Sequence, residues 1–432
     1  MNDDLELIQG AVPGRHTGEL TPVLRTYESR NVTYLGAEFP VFWESANGAT
    51  ITDVDGNRYI DLTSAFGVAN VGHANAYVVA AVHDQATRLM HGMGDVHPTE
   101  VRTRLLERLT HVLPKGLSKT FLATAGSEAV EAALKTAMLA TGKHRFAAYR
   151  GAYHGLSLGA LAVSGIEKFR APFAPLVPDV TTLLDYPMNG RDDTAHAVAV
   201  LRETLGARDD LAALIVEPIQ GRGGCIVPPP GYLRAVREFC SERGIVLIFD
   251  EIYTGFGRTG AWFAADHEAV VPDIICIGKA MGSGFPISAA VARPEIMDAW
   301  PLSAGEALHT STYLGNPMGC AAALATIHEL ERNALPERAR TLGVSLGERL
   351  AGLRRLDGVT DVRGRGFMWG VAVRDAAFAD RIVKHALALG LMVLQAGPAG
   401  DVISITPPLV IGDQQLARAI ALLEEAIATA AA

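Results

Sequence analysis

Four short stretches constrain this chain more than any other feature: LAALIVEPI (211–219), GIVLIFDEI (244–252), DIICIGK (273–279) and ISAAVA (287–292). Each is rich in β-branched or small apolar residues and lacks the polar alternation of a strand with one wet face. Strands of that kind are buried on both sides, which is the signature of a parallel sheet covered by helices. HRFAAY (144–149) reads as a further short strand, and SKTFLATAG (118–126) as another that ends in a glycine. YLRAVREFCSERG (232–244) supplies a crossover helix that stops at a C-cap glycine.

Either side of this region the pattern changes. Residues up to about 30 are polar and broken by Pro and Gly, and read as an extended arm or a short helix. ATITDVDGNRYIDL (49–62) alternates around Asp55-Gly56, a hairpin turn signal. Residues 75–91 and 98–113 carry helical spacing of apolar residues. After residue 320 come helical stretches at 320–334 and 336–354, the paired run VTDVRGRGFMWGVAV (359–373), a helix near 377–389, the strand VISITPPLVI (402–411) and a last helix near 412–430, whose Ala-rich end is expected to fray. The expected division is a large lobe over 71–325, flanked by a smaller α+β lobe assembled from 1–70 and 326–432.

Composition excludes several classes of function. With 49% apolar and 20% charged residues the chain can bury a large core, so disorder is not its main state. A formal charge of −9 argues against nucleic acid or an anionic membrane as partner. No stretch approaches the roughly 20 apolar residues of a membrane span, and the acidic start MNDDLELIQG is unlike a secretory signal. Cys225, Cys240, Cys276 and Cys320 form no CxxC, so neither a disulfide framework nor a zinc site is expected. The expectation is a soluble cytoplasmic protein with no metal.

In an open parallel sheet, ligands bind beyond the carboxyl ends of the strands. The residues there are Thr124-Ala125-Gly126-Ser127, Glu217, Asp250-Glu251 and Lys279. The first group is a small-residue turn opening a helix, suited to phosphate; alternatively Ser127 only caps the helix, with Glu128 or Glu131 helping. Asp250 closes a run with no other polar residue, so it requires a cation: a neighbouring Arg or Lys, a metal, or a protonated ring nitrogen. No cluster at ligand spacing favours the metal. Lys279, beside the Gly-rich AMGSGFP, is suited to attack an aldehyde or to act as a base, or it forms a salt bridge with Asp250. One cofactor with phosphate, aldehyde and pyridinium groups would engage all three places: pyridoxal 5′-phosphate.

The stretches IFDEIYTGFGRTGAWFA (248–264) and PDIICIGKAMGSGFPISA (272–289), with GNRYIDLTSAFGVANVGH (56–73) and TPPLVI (406–411), resemble the class III (subgroup II) pyridoxal-phosphate aminotransferases, the family of ornithine, 4-aminobutyrate and ω-amino acid aminotransferases. The resemblance is nearly full length. It implies the α/β fold type I of pyridoxal-phosphate transferases, and ping-pong transfer of an amino group from an amino donor to a keto acid or aldehyde. By it, Lys279 matches the Schiff-base lysine that also shuttles the proton, and Asp250 matches the aspartate that keeps the pyridine nitrogen protonated. Ile252 resembles the residue packing one ring face and Tyr153 the aromatic stacking on the other. Gly126 and Ser127 match the phosphate turn. Thr312, in HTSTYLGNP, is similar to a threonine that reaches the phosphate from the neighbouring subunit, which implies a homodimer with its active site at the interface.

Two positions depart from the family pattern. Relatives of the ornithine and 4-aminobutyrate type pair a glutamate in QGEGG with an arginine three residues before PPL. Here Arg222 stands in QGRGG and Ser404 stands where that arginine would be. Arg222 then binds a substrate carboxylate, or pairs with a nearby acid. Tyr253 replaces a glutamine that touches the cofactor's 3′-oxygen, and either its hydroxyl takes over that contact or the position is permissive.

Rival readings are fewer. Gly155-Leu156-Ser157-Leu158-Gly159 fits G-x-S-x-G, with Asp250 and His309 following in hydrolase order, but YRGAYH separates it from the preceding strand. Gly364-Arg365-Gly366 reads as a turn rather than a dinucleotide fingerprint. An amino-acid epimerase or aminomutase of the same fold is the alternative made credible by the missing arginine, and a non-catalytic homologue is opposed by the intact Lys279 and Asp250.

Overall fold

The computed structural model describes residues 4–432. Helix Arg15–Tyr27 precedes three successive antiparallel strands, β1 (Trp43–Asn47), β2 (Thr50–Asp53) and β3 (Arg58–Asp61), with Gly56 at φ 85° in the tight turn of the β2–β3 hairpin. Seven strands follow: β4 (Lys119–Ala123), β5 (Arg145–Tyr149), β6 (Thr181–Leu184), β7 (Leu211–Val216), β8 (Val246–Asp250), β9 (Ile274–Ile277) and β10 (Ser288–Ala292). They form one sheet in the order β4-β10-β9-β8-β7-β5-β6. The last segment contributes β11 (Val359–Arg365), β12 (Met368–Val373), β13 (Leu391–Met392), β14 (Leu394–Ala396) and β15 (Val402–Ile405).

The large sheet is mostly parallel, as its unalternating strands imply. Ala213, Ile215, Ile248, Ile274 and Cys276 pack under the Ala-rich helix Gly126–Thr141. On the opposite face Leu214, Val216, Leu247 and Phe249 meet the helix Tyr232–Arg243, which ends at Gly244 in the left-handed conformation as expected. Strand β10 is the exception to the parallel rule, because it runs antiparallel to both β9 and β4. An apolar run covered on both faces looks the same in either direction, so its composition cannot reveal orientation.

Both chain ends meet in a smaller lobe. Strand β13 pairs in parallel with β3, Leu391 opposite Ile60, and joins the C-terminal segment to the N-terminal hairpin. The antiparallel sheet β11-β12-β15-β14 lies beside it. Helix Pro317–Arg332 runs without a break through position 325. The final helix, Asp413–Ala431, stays helical to Ala431, where fraying was expected, because Ile427 and Ala430 are buried in the core. The four cysteines are free and buried. Among the described residues no helix is long and apolar enough to cross a membrane.

Candidate active site

The carboxyl ends of β4, β5, β7, β8 and β9 surround a cavity of about 790 Å³. Its lining includes Gly126, Ser127, Tyr153, His154, Glu217, Arg222, Asp250, Ile252 and Lys279. The fold therefore brings together every site residue expected from the sequence except Thr312. That threonine is exposed on the loop before Pro317 and lies outside the lining of this chain's cavity.

Lys279 follows β9 through Gly278, with its backbone at φ 44°. A non-glycine residue in the left-handed region is strained and persists only where its surroundings fix it, a pattern that clusters at functional sites. Its ammonium sits 4.1 Å from the centre of the Tyr253 ring, and among the described residues it has no ion pair or hydrogen bond. Burial pulls its pKa below the usual lysine range, opposed by the Asp250 and Glu217 carboxylates.

Asp250, at the end of β8, does not pair with that lysine. Its Oδ2 lies 2.8 Å from Nδ1 of buried His154, and its Oδ1 accepts the Ile252 N–H at 3.1 Å. In place of a salt bridge to Lys279, the structure gives Asp250 a hydrogen bond from a histidine that sequence reading did not single out. A carboxylate at that distance accepts, so Nδ1 carries the proton and Nε2 is left buried without a partner. No cluster suited to a metal occurs among the described residues.

The helix Gly126–Thr141 opens at the cavity with Ala125 as N-cap, so Ser127 lies in the first turn and is not the cap. Glu128 reaches back to the Thr124 N–H and hydroxyl, both at 2.8 Å. Among the described residues, the Gly126 and Ser127 N–H groups have no acceptor, as expected for a helix start. A Cβ at position 126 would stand 3.0 Å from Ile252 Cδ1, so Ile252 lies close against the turn and would have to shift by a few tenths of an ångström to admit a larger residue there.

Glu217, at the end of β7, accepts the Tyr153 N–H at 2.9 Å and the Gly221 N–H at 3.1 Å. Burial pushes its pKa up to about 7, with Asp250 adding to the rise and His154 and the two N–H donors resisting it. Gln220 and Ile226 exchange backbone hydrogen bonds, so QGRGG closes into a loop, and Gly397 N–H fixes its tip through Arg222 O at 2.9 Å. The Arg222 guanidinium lies 5.8 Å from the Phe169 ring centre and meets no carboxylate among the described residues. The alternative in which Arg222 pairs with a nearby acid is therefore not what the structure shows. The Tyr253 hydroxyl is 3.2 Å from Thr406 Oγ1, turned toward the small lobe, and its ring fills the space that Cβ atoms at Gly67 and Gly221 would occupy.

The hydrolase rival fails on geometry. Ser157 donates to Glu131 Oε1 at 2.9 Å at the start of helix Leu158–Val163, and Asp250 faces His154 rather than His309.

The family model of class III aminotransferases matches residues 34–427. The chain belongs to that family. An acetylornithine aminotransferase of Methanosarcina mazei is 38% identical to this class III aminotransferase over 92% of this chain and 95% of its own. A 4-aminobutyrate aminotransferase of Mycobacterium bovis is 38% identical over 89% and 90%. Among solved structures, a PLP-bound amine transaminase from an uncultivated Pseudomonas species superposes with a TM-score of 0.87 at 32% identity, covering 93% of this chain and 98% of that one. A transaminase from the marine bacterium Virgibacillus gives 0.90 at 27% identity, covering 95% and 99%. This class III aminotransferase has fold type I, depends on pyridoxal phosphate and transfers amino groups, and the epimerase or aminomutase alternative is not favoured.

Proposed function

We propose that this cavity holds pyridoxal phosphate through the residues named above and that Lys279 is its catalytic residue. One observation carries the reading: a lysine amine with no ion pair among the described residues lines a cavity whose buried aspartate is already engaged by a histidine. The free N–H groups of Gly126 and Ser127 fit a phosphate at the positive end of a helix. Ile252 and Tyr153 both line the cavity and fit the two faces of a flat ring. Pyridoxal phosphate, when bound, supplies an aldehyde that takes up the amino group and a ring that withdraws electrons.

In this reading Lys279, matching the Schiff-base lysine of the family, would hold the cofactor through its aldehyde with loss of water, and would be freed when the donor's amine takes its place. It then takes and returns the proton on the carbon that bears the amine, a task suited to an amine whose pKa burial has lowered. Asp250, oriented by His154, holds a proton on the ring nitrogen. Arg222 binds a carboxylate of donor or acceptor. The amino donor passes its nitrogen to a keto acid or aldehyde in a ping-pong sequence. The absence of the glutamate–arginine pair argues against the ornithine and 4-aminobutyrate type of donor.

The proposed assembly is a cytoplasmic homodimer in which Thr312 of the partner subunit reaches the phosphate, consistent with its exposure here. The proposed lobe division remains 1–70 with 326–432 around 71–325, supported by the pairing of β13 with β3. Mixing Lys279→Ala with Thr312→Ala tests site and dimer together. Each variant alone is expected to be inactive or strongly impaired, and mixed dimers should regain activity in the one site that carries both native residues. Full activity in Lys279→Ala would refute the catalytic assignment, and no recovery on mixing would refute the shared site.

A further inference from the structure

Tyr253 is built into the active site more firmly than a permissive position requires. Its ring occupies the space that a Cβ would need at Gly67, in the small lobe, and at Gly221, in the QGRGG loop. It also packs against the buried cluster of Ile219, Cys225 and Met368. Thr406 Oγ1 donates to Thr63 O at 3.2 Å, so the tyrosine hydroxyl is the donor in its own 3.2 Å contact with Thr406. The hydroxyl proton is thus directed to the small lobe, and what Tyr253 offers the catalytic cavity is the face of its ring.

The Lys279 ammonium sits 4.1 Å from the centre of that ring, and both side chains line the cavity. Three charged groups act on the amine from neighbouring elements. Asp250 at the end of β8 and Glu217 at the end of β7 favour its charge, while Arg222 of the QGRGG loop opposes it. Neither carboxylate pairs with the lysine among the described residues. Asp250 is engaged by His154 and the Ile252 N–H, and Glu217 by the Tyr153 and Gly221 N–H groups. Burial raises the pKa of the Tyr253 hydroxyl, so the tyrosine is neutral at pH 7 and is no counter-ion either. A cation within about 6 Å of a ring centre is attracted by the negative face, most strongly where water is excluded. That face is the attractive contact of an amine with no ion pair or hydrogen bond among the described residues.

We propose that Tyr253 is a positioning residue whose ring face seats the Lys279 ammonium whenever that lysine is not bound to the cofactor. The inference rests on the reading of Lys279 as the catalytic lysine, and adds where its amine goes once freed. When the proton on the carbon that bears the amine moves to the Nζ lone pair, the C–H electron pair stays behind on the substrate. Lys279 is then a cation that neither carboxylate pairs with, and the ring stabilises it in the cavity until the proton is returned.

The test follows the acid–base behaviour of Lys279 in the full-length chain without cofactor, where the amine is free. The rate at which acetic anhydride acetylates Lys279 is measured as a function of pH, by mass spectrometry of its peptide. Parent protein is compared with Tyr253→Phe and Tyr253→Leu, and Tyr253→Met replaces the leucine variant if that one does not fold. Loss of the ring should lower the apparent pKa of Lys279 by about one unit. Tyr253→Phe keeps the ring face without the hydroxyl and should keep the parent profile. In the holoenzyme, Tyr253→Leu should lower kcat roughly tenfold with KM nearly unchanged, and Tyr253→Phe should recover most of that loss. An unshifted or raised pKa in Tyr253→Leu, an equal fall in Tyr253→Phe, or a kinetic change confined to KM would each overturn the seat. An unmoved acetylation profile beside an inactive Lys279→Ala would refute the seat alone. A profile that moves as expected, beside amino transfer that survives Lys279→Ala, would support the seat and refute the catalytic reading.

Discussion

His154 Nδ1, in the loop after β5, and Asp250 Oδ2, at the end of β8, lie 2.8 Å apart with both side chains buried, although the residues stand 96 positions apart in sequence. The contact explains how a carboxylate can terminate an apolar run, since its charge meets a polarised N–H and a backbone donor instead of the nearby lysine. It also fixes which way the carboxylate faces, so His154 acts as a positioning residue for Asp250. Asp250→Asn is expected to lower the rate of amino transfer by roughly 10²- to 10³-fold with the fold intact. His154→Asn should cost about tenfold to hundredfold and should shift the visible absorbance of the holoenzyme, a change that a purely structural loss would not produce. Near-native rate and spectrum in both variants would remove the pair from the mechanism.

Arg222 presents a guanidinium to the cavity with no acid against it among the described residues. Charge-assisted hydrogen bonds contribute about 1.5–3 kcal/mol. Arg222→Ala should therefore raise KM for carboxylate-bearing donors or acceptors by roughly tenfold or more, while amines without a carboxylate keep theirs. Equal changes for both substrate types, read from steady-state kinetics, would take Arg222 out of the binding site.

Arg258 is fully buried and has no carboxylate partner among the described residues, yet it donates to Phe367 O at 3.1 Å, to Pro407 O, to Ser64 Oγ and to Asn70 Oδ1. Burial lowers its pKa to about 10, which still leaves it charged at neutral pH. The side chain joins the N-terminal segment, the β11–β12 turn and the Pro407-Pro408 segment. Arg258→Met would strand four acceptors, and a loss of about 3 kcal/mol or more is expected. Urea unfolding measures it, and a midpoint within error of the parent would contradict the assignment.

Glu251 is buried away from the cavity lining and accepts the Thr254 hydroxyl and the Ala264 and Ala265 N–H groups. Burial raises its pKa from 4.5 to about 7 despite those donors. The folded chain thus holds this proton more tightly than the unfolded chain. Its contribution to stability is complete below about 4.5 and is lost as pH rises through about 7. The loss is on the order of 3 kcal/mol at most. Glu217, also near 7, has the same sign. The urea midpoint should fall between pH 5 and pH 8, and Glu251→Gln should make that fall shallower. An equal slope in the variant would rule out Glu251 as a source.

Much of this molecule could be read locally. The unalternating runs located β7, β8, β9 and β10 as doubly covered strands, Asp55-Gly56 located the hairpin, and Gly244 the end of a helix, because burial periodicity and turn chemistry are written in neighbouring residues. The strand-end rule then pointed to Gly126, Asp250 and Lys279, since a polar residue closing an apolar run has few places to go. Other features depend on residues far apart in the chain. The direction of β10, the histidine that meets Asp250, the unpaired state of Arg222 and the turning of Tyr253 toward Thr406 are set by which distant segments fold against one another. The residue type in each case was compatible with more than one partner, and a sequence specifies what a side chain needs before packing specifies what supplies it.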